Sequence, residues 1–107
     1  MLLAAGFPIW RLEFDPATNE ISTAQIRRLR EALVPYREIL LRSGRGAVEL
    51  VGVASRAGDP KTATQVRVAR ALIISQGIPA ERVRYAARVA ESHEPTGIIE
   101  VHVRDIE

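Results

Sequence analysis

The sequence predicts an α+β domain, an α/β sandwich in the order β-α-β-α-β-β, with a four-stranded mixed sheet and two helices packed on one face. Three observations predict it. Apolar and polar residues alternate over Pro8–Phe14, Val83–Val89 and Ile99–Arg104, the period of strands with one buried side. Two longer stretches, from Ser22 past Leu40 and from Pro60 to Gln76, repeat their apolar residues at helical spacing. Helices of that length between strands serve as crossovers, so the sheet must contain parallel neighbours. The chain is organised around Gly46–Ile78, a buried strand, a tight loop and an amphipathic helix.

The totals fit one compact domain. The chain has 107 residues, 47% hydrophobic and 26% charged, an ordinary globular composition. Without cysteine, disulfides, thiol catalysis and Cys-ligated zinc are excluded. The formal charge is +2, with Lys61 the sole lysine and every other basic group an arginine. Arginine pairs bidentately with carboxylate and phosphate, so nucleic acid has to be considered. The arginines are interleaved with thirteen acids, however, which describes a solvated mixed-charge surface better. No apolar run reaches the roughly 18–20 residues that span a bilayer. Met1–Gly6 is apolar but short and lacks a basic start, so residues 1–8 are expected to form a loose extension, and localisation is not legible from them.

Along the chain, Trp10, Leu12 and Phe14 share one face of the first strand, and Trp10 is expected in the core. Asp15-Pro16 and Thr18-Asn19 provide turn chemistry. Ser22 with Gln25 matches a capping box. Behind them Ile26, Leu29, Leu33, Tyr36 and Leu40 form an inward stripe, and Pro35 within it is expected to kink or restart the helix. Ser43–Gly46 is a stop and turn. Ala47–Ala54, apolar on both faces except at Glu49, suits a central strand. Pro60 suits the first turn of the second helix, which should turn Val66, Ala69 and Leu72 or Ile73 inward and Gln65, Arg67 and Arg70 further out. Gly77 ends it. Glu91–Gly97 is a turn-rich connection of hairpin length.

In order and spacing these segments resemble the OmpA-like C-terminal domain family, periplasmic modules that hold peptidoglycan in Gram-negative envelope proteins. The resemblance covers about residues 10–104. Its most specific element is GIPAERV at 77–83, similar to the family's turn into the third strand. VELVGVAS, AESHEP and IIEVHV look like its second strand, its following turn and its closing strand. The family holds diaminopimelate with an aspartate ending the second strand and an arginine on the second helix. Here the aspartate position is Ser55, and the arginine position falls at Gln65 counted from Gly77, or at Arg70 counted from Ser55. Arg67 is another residue that could point into the pocket, and Asp59 could replace the missing carboxylate. Gly97 and Ile98 stand where the family has paired arginines.

The resemblance therefore implies a non-enzymatic, cofactor-free module of the cell envelope or periplasm with a degenerate pocket of Ser55, Asp59, Gln65, Arg67 and Arg70. Its expected partners are protein subunits of a secretion, pilus or outer-membrane assembly. One alternative retains peptidoglycan through Asp59 with Arg67 or Arg70. Another is a cytosolic arginine-rich nucleic-acid binder, which predicts aromatics exposed on the sheet; three of the five aromatics fall on inward stripes instead.

The remaining candidates have plainer explanations. Asp59 suits the start of a helix as an ordinary charge. Ser55 has no histidine near it in sequence to make it a nucleophile. His93 and His102 lack metal-ligand spacing, and both are expected at the surface. Glu13, Glu49 and Glu100 are expected to face cross-strand arginines. Neither GxxxxGK[ST] nor GxGxxG occurs, which leaves nucleotide-phosphate binding without support.

Overall fold

The structure, a computed structural model, describes residues 8–42 and 45–105. In chain order its elements are β1 (Trp10–Glu13), α1 (Thr23–Arg42), β2 (Ala47–Ala54), α2 (Pro60–Ser75), β3 (Val83–Val89) and β4 (Ile98–Arg104). The four strands form one mixed sheet in the order β1-β4-β2-β3, with β2 and β3 parallel and the other neighbours antiparallel. Both helices pack on the same face, as the two periodicities predict. The expected extension over residues 1–8 lies outside the described residues except for Pro8, and so do Ser43 and Gly44 of the expected turn.

The core lies between the helices and one sheet face. Leu12, Leu50, Ile99 and Val101 from the strands meet Leu29, Leu33 and Leu40 of α1 and Val66, Ala69 and Ile73 of α2, all of them buried. Each of the leucine, isoleucine and valine side chains among them contributes roughly 1.5–3 kcal/mol relative to exposure. Gly52 of β2 lets α2 approach closely, since a Cβ there would collide with the Thr62 methyl group. Trp10 is only half-buried, and its indole Nε1 donates to Gln25 Oε1 at 3.0 Å.

Three expectations need correction. α1 does not stop and restart at Pro35 but continues from Thr23 to Arg42, with Pro35 on the exposed side where the lost backbone bond is not enclosed by protein. Only one half of the expected capping box is seen: Ser22 Oγ accepts from Gln25 N at 3.2 Å, while the Gln25 amide oxygen is used by Trp10. The connection after β3 is of hairpin length but makes no hairpin. It crosses the end of β2, where Ala90 N donates to Ala54 O and Gly97 N donates to Val53 O, and it delivers β4 to the far side of β2. β3 is thereby left at the edge of the sheet, with β2 its one neighbour among the described residues.

The GIPAERV segment has a clear physical role. Gly77 takes a φ of +95° to leave α2, Ile78 is buried in the core, and Pro79 precedes a single 3-10 turn at Ala80–Arg82. Arg82 Nη1 then donates to Gly46 O at 2.8 Å, which ties the start of β3 to the start of β2.

Candidate functional site

The site is built where α2 overhangs the edge strand. Leu50 faces the helices, so its register partner Tyr85 faces them too, and Ala87 and Val89 follow on the same side. The helices cover Val83 and leave the rest open: Tyr85 is 69% exposed and Val89 50%. On α2, Pro60, Ala63, Arg67 and Arg70 follow helical spacing down one flank, beside the buried row of Thr62, Val66, Ala69 and Ile73. That flank and β3 bound a groove of about 960 Å³, closed at one end by Arg56 and Ala57 of the β2–α2 loop.

Of the predicted site residues, the groove gathers Asp59, Arg67 and Arg70. Asp59 is committed to the helix. Its Oδ1 accepts from Lys61 N at 3.0 Å as the N-cap of α2, and its Oδ2 accepts from Ser55 Oγ at 3.2 Å. Ser55 thus reaches the groove only through Asp59. Gln65, expected further out than the inward stripe and in the pocket, is 2% exposed. It lies on another side of α2, where its Nε2 donates to Asn19 Oδ1 at 3.3 Å. Asn19 is presented by a tight turn in which Asp15 Oδ1 accepts from Ala17 N and Thr18 N, with Asn19 itself at a φ of +58°. The amide is buried because it has this partner, which hydropathy alone could not indicate.

Arg56, Arg67 and Arg70 have no acidic partner among the described residues. The groove therefore offers an apolar floor, an aromatic ring and unneutralised guanidinium groups. Such a set can bind carboxylates or other anions beside apolar groups. Sequence inspection missed Arg56, Tyr85, Ala87 and Val89. The signal lay in VRYAARV, where two alanines fill positions that bulkier residues would occupy in a covered strand, but the strand's place at the edge is a tertiary fact.

Charge also concentrates on the opposite sheet face, with a different outcome. Glu100 is 7% exposed and sits among Arg88 (3.0 Å), His102 (3.1 Å) and Arg11 (3.7 Å). Arg88 also holds Glu94 through two bonds of 2.7 and 2.6 Å, and Arg104 holds Glu49 at 2.8 Å. Glu49 and Glu100 thus face arginines as expected. His102 does not follow expectation: it is 4% exposed, because the hydrogen bond from its ring to Glu100 lets a polar strand residue be enclosed. His93 is exposed. Burial pushes the Glu100 carboxyl up, and hydrogen bonds from His102 and Arg88 outweigh that and hold it below its ordinary value. The two Arg88 hydrogen bonds, with one from Glu91 N, bring Glu94 down to about 2.

Among the described residues no group of three or more His, Asp or Glu could hold a metal ion, and no helix is long and apolar enough to cross a membrane. No protein-family model matches the chain, and no curated protein matches its sequence.

Proposed function

We propose that this chain is a non-enzymatic docking module of the bacterial cell envelope, of OmpA-like type, that binds other protein subunits and no longer holds peptidoglycan. The observation that carries the docking role is the groove beside β3, in which a free strand edge, exposed apolar side chains and unpaired arginines occur together. Free edges of this kind pair with a further strand unless they are blocked. Loss of peptidoglycan follows from chemistry. A diaminopimelate group needs a carboxylate for its amine and a guanidinium for its carboxylate. Ser55 supplies neither, and the Gln65 amide is engaged by Asn19.

A second proposal keeps peptidoglycan, because Asp59, Arg67 and Arg70 line one groove. Against it, both Asp59 oxygens are already hydrogen-bonded. Sedimentation with diaminopimelate-type sacculi decides between the two. The docking role predicts no co-sedimentation at low salt; sedimentation that is lost on Arg67→Ala or Arg70→Ala would establish the second.

A further inference from the structure

We propose that the occupant of the groove is an extended acidic segment of a partner protein, which pairs with the free edge of β3 as a fifth strand. This rests on the docking role above and names the partner's chemistry.

The backbone calls for a strand. β3 spans seven residues, Val83–Val89, and among the described residues it is paired only with β2. Its outer edge offers a row of peptide groups that a small anion could not use and an extended chain would match. Pro60 opens α2 and Pro79 follows it, and β3 itself contains no proline to interrupt pairing.

The side chains call for acid. A strand added beside β3 directs alternate side chains toward the α2 flank, where Arg56, Arg67 and Arg70 lack acidic partners among the described residues. Carboxylates there would make charge-assisted bonds, with their methylene stems lying over the open floor at Tyr85 and Val89, while the side chains between them face the other side of the sheet. On the other side of the added strand, Arg84 and Arg88 are already held by Asp105 and by Glu94 with Glu100. Selection for acid therefore comes from the groove side.

A second copy of the chain fits poorly. Antiparallel self-pairing about Ala86 would set Arg84 against Arg88 of the other copy, and parallel pairing would set each arginine beside its own counterpart. Like charges across a strand pair are destabilising. Self-pairing would also leave the groove arginines facing more positive charge.

The test uses the whole chain and a short capped peptide of alternating glutamate and valine, labelled for fluorescence anisotropy. Two controls accompany it: lysine in place of each glutamate, and N-methylation of the peptide's backbone amides. The proposal expects the glutamate peptide to bind and both controls to fail. Amides of Val83–Val89 should gain protection from hydrogen exchange. Arg67→Ala with Arg70→Ala should weaken binding about tenfold or more, as befits the loss of charge-assisted bonds. Arg27→Ala with Arg28→Ala, an equal loss of charge on the exposed side of α1, should leave it unchanged. Binding of the lysine or N-methylated peptide equal to that of the glutamate peptide would overturn the proposal. So would a concentration-dependent dimer that protects β3 without peptide. Failure of the glutamate peptide with no sedimentation of sacculi overturns this occupant alone, whereas sedimentation of sacculi overturns the docking role beneath it.

Discussion

β3 carries arginine chemistry on both its sides, and the two sides differ in what they do with it. On the open face Arg84 and Arg88 are each held by carboxylates within 3.0 Å, from Asp105, Glu94 and Glu100. On the helix side Arg67 and Arg70 overhang exposed apolar residues and meet no acid among the described residues. The first arrangement is closed: its charges are satisfied within the chain, and it secures the 91–97 loop to the sheet. The second is open, and an external anion would complete it. Arginine content alone does not separate structural from recognition surfaces; the partners do.

The largest expected effect breaks the closed side. Glu100→Ala leaves Arg88 and His102 without their shared acceptor, and should cost about 2–3 kcal/mol in urea unfolding. Glu100→Gln, which keeps one acceptor oxygen, should cost less. Equal losses would mean that charge, not hydrogen bonding, organises this face.

Acid should loosen the same side more gently. The folded Glu94 carboxyl lies at about 2 against an ordinary 4.5. A depressed carboxylate contributes its stabilisation fully above the unfolded value and loses it as pH falls through the folded one. Unfolding midpoints should therefore decline from pH 4.5 toward pH 2, with Glu100, also depressed, acting in the same direction. Glu94→Gln should flatten the decline. An unchanged slope in that variant would remove Glu94 from the account.

The smallest effect belongs to the open side. Tyr85→Ser and Val89→Ser remove apolar side chains that are already exposed, so each should shift stability by no more than about 0.5 kcal/mol in thermal unfolding. A substantially larger loss would place them in the core.

The contrast was only partly visible in the sequence. Periodicity revealed both helices, the central strand and the mixed sheet, because the apolar spacing reports which face is buried. The cap at Asp59 was legible from its place before Pro60. The edge position of β3 was not legible, since strand order depends on where the 91–97 connection leads the chain. Pro35 broke a local rule without ending α1, because the surrounding packing of Leu33 and Leu40 continues across it. Gln65 and His102 escaped for a shared reason: each is polar by type, yet is enclosed by virtue of one partner, Asn19 or Glu100, that is distant or two residues away on a strand. Arg67 and Arg70 were foreseen, but only the fold unites them with Tyr85.

The most direct measurement compares Arg88→Ala with the double variant Arg67→Ala and Arg70→Ala in parallel urea unfolding at neutral pH. Arg88 is partly exposed, so its loss should cost about 1–2 kcal/mol, between the values for exposed and buried pairs. The groove pair should cost no more than about 0.5 kcal/mol, as expected for arginines without a partner in the chain. A groove pair that costs as much as Arg88 would contradict the account, because those arginines would then be part of the fold and not a surface held open for a partner.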